Sequence, residues 1–270
     1  MTEGAGAPGA PETTATLEPA VREALGDLLL ALADDELVIG YWDSEWTGIA
    51  PMLEEDVAMT SLATDELGHA RAFYTLLGEL TGRDPDAIAY DRPAEAVRHA
   101  HLLDHPRTDW AFSIARRWLY DTADAVRLEA LATSTYRPLA ELVAKVRREE
   151  RYHLLHVDTW LRRLASDTGS ARRHLEAAWA TLVDDGASVF APLLGEAVLV
   201  GAGILPVGLD ALAERWLGQA RGVATELRLA LPGPSSPASR AGGRLDHSDD
   251  FRWLWTEATS VRRLDPTATW

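Results

Sequence analysis

Two Glu-x-x-His units, Glu66/His69 in TDELGHAR and Glu150/His153 in REERYHLL, put a carboxylate and an imidazole three residues apart at two places in the chain. On an α-helix such residues lie nearly one turn apart on the same face, so both can reach one cation. Each unit also has an acid upstream: Glu36 precedes Glu66 by 30 residues and Asp121 precedes Glu150 by 29. That separation fits a helix, a connection and an antiparallel helix running back. Two metal ions a few ångströms apart need bridging carboxylates, and helical bundles of the ferritin-like type supply them from facing helices. The pattern therefore predicts a two-metal site in which Glu36, Glu66, His69, Asp121, Glu150 and His153 are both the metal ligands and the catalytic set.

A single Glu-x-x-His carries little weight, because chance supplies such matches. The pairing, and the setting of each unit, carry more. Val57, Leu62, Glu66, His69, Phe73 and Leu76 recur along one apolar stripe, where a charge needs a partner. Asp65 and Glu149, each immediately before a ligand glutamate, are candidate acceptors for the imidazole N–H of the adjacent half-site.

The elements that must position these residues are helices. Residues 17–42 read as one helix on a 3.6-residue period, with Glu36 toward its end. Pro51 can open a second that runs to about Leu80. Pro85, Pro93 and Pro106 mark a loop-rich crossover with one short helix near 95–103. A third helix over 109–134 carries Trp110, Ile114, Trp118, Asp121, Ala125 and Leu128 at helical steps, and a fourth from Pro138 carries Leu142, Val146, Glu150, His153, Val157 and Trp160. Further helices are expected near 171–184, 189–200, 206–229 and 251–263, the last after a Pro, Gly and Ser loop. No strand pattern is visible. The fold class is all-α: a ferritin-like four-helix bundle core with additional C-terminal helices, forming a single domain over 17–270 behind a disordered leader at 1–16.

Composition narrows the function. The chain has 270 residues and no cysteine, which removes disulfides, thiolate catalysis and iron–sulfur ligation and leaves carboxylate and imidazole as metal ligands. A formal charge of −16 opposes nucleic acid and anionic membranes as partners. The apolar stretches are too short or too broken to span a bilayer, and the N-terminus lacks the features of a signal peptide, so a cytoplasmic location is expected. Most of the ten tryptophans are expected to pack in the core.

The stretches LADDELVIGYWDSEWTGIAPMLEEDVAMTSLATDELGHARAF, RRWLYDTADAV, EERYHLLHVDTWLRRL and the C-terminal GGRLDHSDDFRWLWTEATSVRRLDPTATW resemble the multicomponent phenylacetyl-CoA ring 1,2-epoxidases, specifically their C subunit. The ending, with its Gly-Gly-Arg loop, His, helix and terminal Trp, is the more specific pointer to that component. The resemblance implies a ferritin-like component of an oxygenase that uses O2 and reductant to epoxidise the aromatic ring of an acyl-CoA in phenylacetate catabolism. It further implies that the partner is a homologous catalytic subunit. Asp121 stands where catalytic subunits of that family have Glu, a shorter arm for a bridge.

If metal binds, this donor set suits two iron ions, with manganese possible. Electrons would come from a separate NAD(P)H-dependent reductase, since the chain has no Gly-x-Gly-x-x-Gly loop and no cysteine for a cluster. The expected function is a component of such a monooxygenase that itself carries a non-haem di-iron site. The alternatives are a non-catalytic structural component pairing with a catalytic homologue and a ferritin-like metal-storage or oxidase protein.

Overall fold

The computed structural model describes residues 17–233 and 244–265. The expected leader at 1–16 and the C-terminal tryptophan lie outside them. Among the described residues there are ten α-helices and no strand. None of the helices is long and apolar enough to cross a membrane.

Four long helices make the core: α1 (Pro19–Ser44), α2 (Leu53–Thr81), α4 (Trp110–Leu131) and α5 (Arg137–Ser166). α1 and α2 are antiparallel, since Arg22 at the start of one donates to the carbonyl of Leu80 at the end of the other. α4 and α5 form a second antiparallel pair, with Trp110 edge-on to Trp160. Asp43 and Asp35 on α1 meet Arg117 and Arg127 on α4 in reverse order, so these two helices also oppose each other. α2 and α4 are therefore parallel, and residues 82–109 must carry the chain from one end of the bundle to the other. A long crossover of this kind is characteristic of ferritin-like bundles.

The crossover departs from expectation. It contains a short helix α3 (Pro85–Tyr90) and two 3₁₀ turns, Ala94–Ala96 and His101–Asp104, where one helix near 95–103 is expected. The reason is competition for backbone N–H groups. Arg98 N donates to Asp34 Oδ2 at 2.6 Å, Ala100 N to Asp35 Oδ1 at 2.7 Å and Leu102 N to Ser188 Oγ at 3.0 Å. With side chains from elsewhere taking these donors, the segment runs extended.

The remaining helices are α6 (Ser170–Leu182), α7 (Glu196–Gly201), α8 (Leu209–Leu227), α9 (Asp249–Ala258) and α10 (Ser260–Leu264). Pro192 and Gly195 split the helix expected at 189–200 into a 3₁₀ turn, Asp185–Phe190, and α7, and Thr259 divides the last helix in two. α6 and α8 cover α4, and α7 covers α1. On α2 and α5, Leu53, Val57, Tyr152 and Leu155 remain exposed. The sequence pattern puts Val57 on the inward stripe, but five residues separate it from Leu62 and turn it roughly 140° away at 3.6 residues per turn.

Tryptophan indoles tie the layers together. Trp42 donates to Leu103 O, Trp46 to Ser113 Oγ, Trp118 to Asp158, Trp179 to Ala230 O, Trp216 to Thr122 and Trp255 to Arg92 O. Each buries an apolar ring and satisfies its one N–H.

Candidate metal centre

The site lies at the middle of the four-helix core. Gly40, one turn beyond Glu36, permits α1 and α2 to approach there: a Cβ at this position would stand 3.1 Å from Leu67 Cγ and 3.2 Å from Glu66 Cβ. Glu36, Glu66, His69 and Glu150 are all buried, and one potential ligand atom from each lies within 4.8 Å of the others. His69 Nδ1 is 3.2 Å from Glu150 Oε1, 3.4 Å from Glu66 Oε2 and 4.0 Å from Glu36 Oε2. His153 stands beside this group, its Nδ1 3.3 Å from both Glu66 Oε1 and Glu150 Oε1. The two rings are 6.2 Å apart.

The outer nitrogens of both rings are held across the α2/α5 seam. His69 Nε2–H donates to Glu149 Oε2 at 2.7 Å, and His153 Nε2–H to Asp65 Oδ2 at 3.3 Å. Each acceptor precedes the buried glutamate of the opposite unit, as the sequence pattern anticipates. The exchange fixes both rings with Nδ1 turned inward.

The centre is rich in negative charge and short of positive. Burial, followed by the nearby Glu66, pushes Glu36 well above the usual carboxylate range. Burial opposes charge on Glu66 as well, yet Arg117 and hydrogen bonds with its neighbours hold it well below that range. Burial disfavours an imidazolium, but the Glu150 and Glu66 carboxylates close to each Nδ1 push His69 up to about 10 and His153 up to about 11. Both oxygens of Glu36, Glu66 Oε2, Glu150 Oε1 and the Nδ1 atoms of both histidines are buried without a hydrogen-bond partner. Native proteins rarely leave such atoms orphaned. Around Glu36, Glu66, His69 and Glu150 the donor set fits one hard divalent cation.

The other half is arranged differently. Asp121 is buried on α4, but Arg117 one turn earlier sits against it, Nη2 to Oδ2 at 3.2 Å. The same guanidinium donates to Glu66 Oε1 at 2.5 Å and to Asp43 Oδ2 at 3.2 Å. Burial raises Asp121 more than Arg117 lowers it, leaving its carboxyl well above the ordinary range. Arg117 is itself fully buried. The structure thus gathers Glu36, Glu66, His69 and Glu150, keeps His153 adjacent, and sets Asp121 against a fixed cation rather than an open position.

Several buried charged residues around the centre escape a reading based on ligand motifs. Asp34 and Asp35, immediately before Glu36, are buried and point to different partners, as successive helix residues must. Asp34 binds Arg92 and Tyr74. Asp35 takes Arg127 Nη1 at 2.6 Å and a two-pronged contact from Arg244, at 2.8 and 3.0 Å. Burial pushes Asp35 up, but Arg244 and Arg127 overcome it and hold the group below its ordinary value. Arg244 also donates to the carbonyls of Arg98 and Val189, while His247 donates to Val97 O. Arg244 and His247 of the C-terminal ending therefore clamp the crossover and the 3₁₀ turn onto α1 beside Glu36. Asp124, one turn past Asp121, is held by Arg127 through Oδ1 at 2.8 Å. The available cue was three consecutive acids interrupting the apolar run LLLALADDELVIG.

A family model described as phenylacetic acid catabolic protein matches residues 5–270. The chain is 30% identical over 243 residues to the C subunit of the 1,2-phenylacetyl-CoA epoxidase of Escherichia coli (strain K12), covering 89% of this chain and 97% of that protein. It is 26% identical over 121 residues to the A subunit of the same organism's epoxidase, covering 45% of this chain and 39% of that one. With a match over nearly its whole length and a helical core that assembles an acid and histidine centre, the chain belongs to the phenylacetic acid catabolic protein family.

Proposed function

We propose that the chain is a component of a phenylacetyl-CoA epoxidase-type multicomponent monooxygenase, occupying the place of the C-type component beside a catalytic homologue of the A type. The observation that carries this reading is the near-complete alignment with the C subunit, set against a partial one with the A subunit. The substrate class is an aromatic acyl-CoA, with electrons drawn from a separate NAD(P)H-dependent reductase. The same reading puts the chain in the cytoplasm.

A second reading, in which the chain itself carries a catalytic di-iron site, is favoured by the presence of all six side chains, Glu36, Glu66, His69, Asp121, Glu150 and His153. Iron, when bound, supplies redox chemistry toward O2 that side chains lack. The chain's own part would be to hold the ion with Glu36, Glu66, His69 and Glu150, to orient the imidazoles through Glu149 and Asp65, and to keep water out with the surrounding apolar packing. A second ion finds Arg117 already on Glu66 and Asp121, which weighs toward the partner role.

Exposed Leu53, Val57, Tyr152 and Leu155 on α2 and α5 offer apolar surface for a homologous chain. Co-expression with an A-type homologue tests the proposal: a stable hetero-oligomer is expected on size exclusion, weakened by Val57→Glu or Leu155→Glu. A chain that elutes unchanged beside a folded A-type homologue overturns it.

A further inference from the structure

We propose that Arg117 is a built-in cation standing in for a second metal ion, so that the centre takes a single divalent ion among Glu36, Glu66, His69 and Glu150. The inference rests on the metal-binding reading of the centre and not on the oxygenase assignment.

The two halves of the site differ in whether a fixed positive charge already stands among their acids. In the first, both Glu36 oxygens, Glu66 Oε2, His69 Nδ1 and Glu150 Oε1 are buried without hydrogen-bond partners. In the second, both Asp121 oxygens and His153 Nδ1 also lack a hydrogen bond, but a guanidinium already stands among them: Glu66 Oε1 accepts from Arg117 Nη1, and Asp121 Oδ2 lies 3.2 Å from Arg117 Nη2. The Glu66 carboxylate is thus divided, one oxygen facing His69 and the other facing a guanidinium and His153. An ion drawing on Glu66 Oε1 and Asp121 would have to share oxygens with an adjacent positive charge.

Arg117 is poorly placed to yield. A guanidinium keeps its proton across the physiological range, so it cannot discharge to admit a metal as a lysine can. It is fully buried and fixed from three sides: Glu66 on α2, Asp121 on its own helix and Asp43 on α1. Asp43 is braced in turn by Arg116, 3.9 Å away. Swinging Arg117 aside would leave a buried charge without partners, which is more costly than leaving it in place. Asp121, with its short arm, fits the role of partner to Arg117, one turn away on the same helix face.

Anaerobic titration of the purified full chain with Mn(II), read by bound metal per folded chain and by electron paramagnetic resonance, tests this. About one ion per chain with a mononuclear six-line spectrum is expected, as hard oxygen and imidazole donors suit this ion. Arg117→Met should raise the count to about two and broaden the spectrum by coupling between neighbouring ions. Arg117→Lys, which keeps the charge, should stay at about one. If Arg117→Met does not fold, the wild-type stoichiometry still decides. Two coupled ions in the wild type, or in Arg117→Lys, overturn the role of Arg117. No bound ion in the wild type overturns metal binding itself, a result separable from association with an A-type homologue.

Discussion

Arg244→Met isolates the contribution of the C-terminal clamp. The guanidinium makes two short contacts to Asp35, which is completely buried, and also donates to the carbonyls of Arg98 and Val189. Removing one partner of a buried ion pair costs about 3–5 kcal/mol, because the other charge is left in a poor solvent. Here Asp35 retains Arg127 and the amide of Ala100, so the lower end, about 3 kcal/mol, is expected. For a chain of this size that corresponds to a fall in Tm of about 6–12 °C. Methionine keeps much of the side-chain volume, so the loss reads the charge and its hydrogen bonds rather than a cavity. Arg162→Met is the control: its ion pairs with Asp158 and Glu226 are largely exposed, and such pairs contribute about 1 kcal/mol or less. Thermal unfolding followed by circular dichroism at neutral pH compares the two. If Arg244→Met melts within about 2 °C of wild type, or no lower than Arg162→Met, the clamp does not carry the stability assigned to it.

Other perturbations read other parts of the structure. Glu149→Ala removes the acceptor 2.7 Å from His69 Nε2 and should weaken Mn(II) binding roughly tenfold to a hundredfold without unfolding the chain; an unchanged titration would show that this contact does not orient the ring. Gly40→Ala gains about 1 kcal/mol of helix propensity but forces a Cβ against Leu67 and Glu66, at a cost of about 1–3 kcal/mol. A net loss of stability is expected, and a higher Tm would mean that α1 and α2 can separate there freely.

The pH dependence follows from the crossover. Burial pushes Asp104 up, but hydrogen bonds with His247 and His99 hold it below its ordinary value, and His101 also lies 4.0 Å away. A carboxylate whose folded pKa is depressed contributes stability above its unfolded pKa, about 3.9, and loses it as pH falls through the folded value. Burial lowers His99 despite Asp104, so the folded state also loses stability as pH falls below about 6.5, where the unfolded imidazole takes up a proton first. Glu36 and Asp121, held well above the carboxylate range, act in the opposite sense, so the test is a difference: the fall in urea midpoint below about pH 4 should be shallower in Asp104→Asn than in the wild type. An unaltered acid limb in Asp104→Asn would contradict this.

The bundle and the buried glutamates at its centre were legible because one periodicity encodes both. Leu62, Glu66, His69 and Phe73 fall on the buried side of α2 for the same reason that they repeat at steps of three and four. The exchange of Glu149 and Asp65 between half-sites follows from position as well, each lying beside a buried glutamate that faces the centre. Arg117 was not legible in its role: RRWLYD marks it as a helical arginine, but its contacts with Asp43 and Glu66 reach helices 74 and 51 residues away. The same holds for Arg244 and Asp35, 209 residues apart. In the crossover, local propensity favoured a helix at 95–103, and acceptors from α1 and Ser188 prevailed over it. Motif spacing thus marked the acids and histidines that the structure gathers, while the charges that restrain them are set by tertiary contact.

Reconstitution with phenylacetyl-CoA tests the central claim most directly. An A-type homologue, a reductase, NAD(P)H and O2 are combined with and without this chain, and ring-epoxidised CoA ester is measured by mass spectrometry. The account predicts efficient epoxidation only when this chain is present in complex with the A-type homologue, and none from this chain with the reductase alone. Full activity of the A-type homologue and reductase without this chain would contradict it.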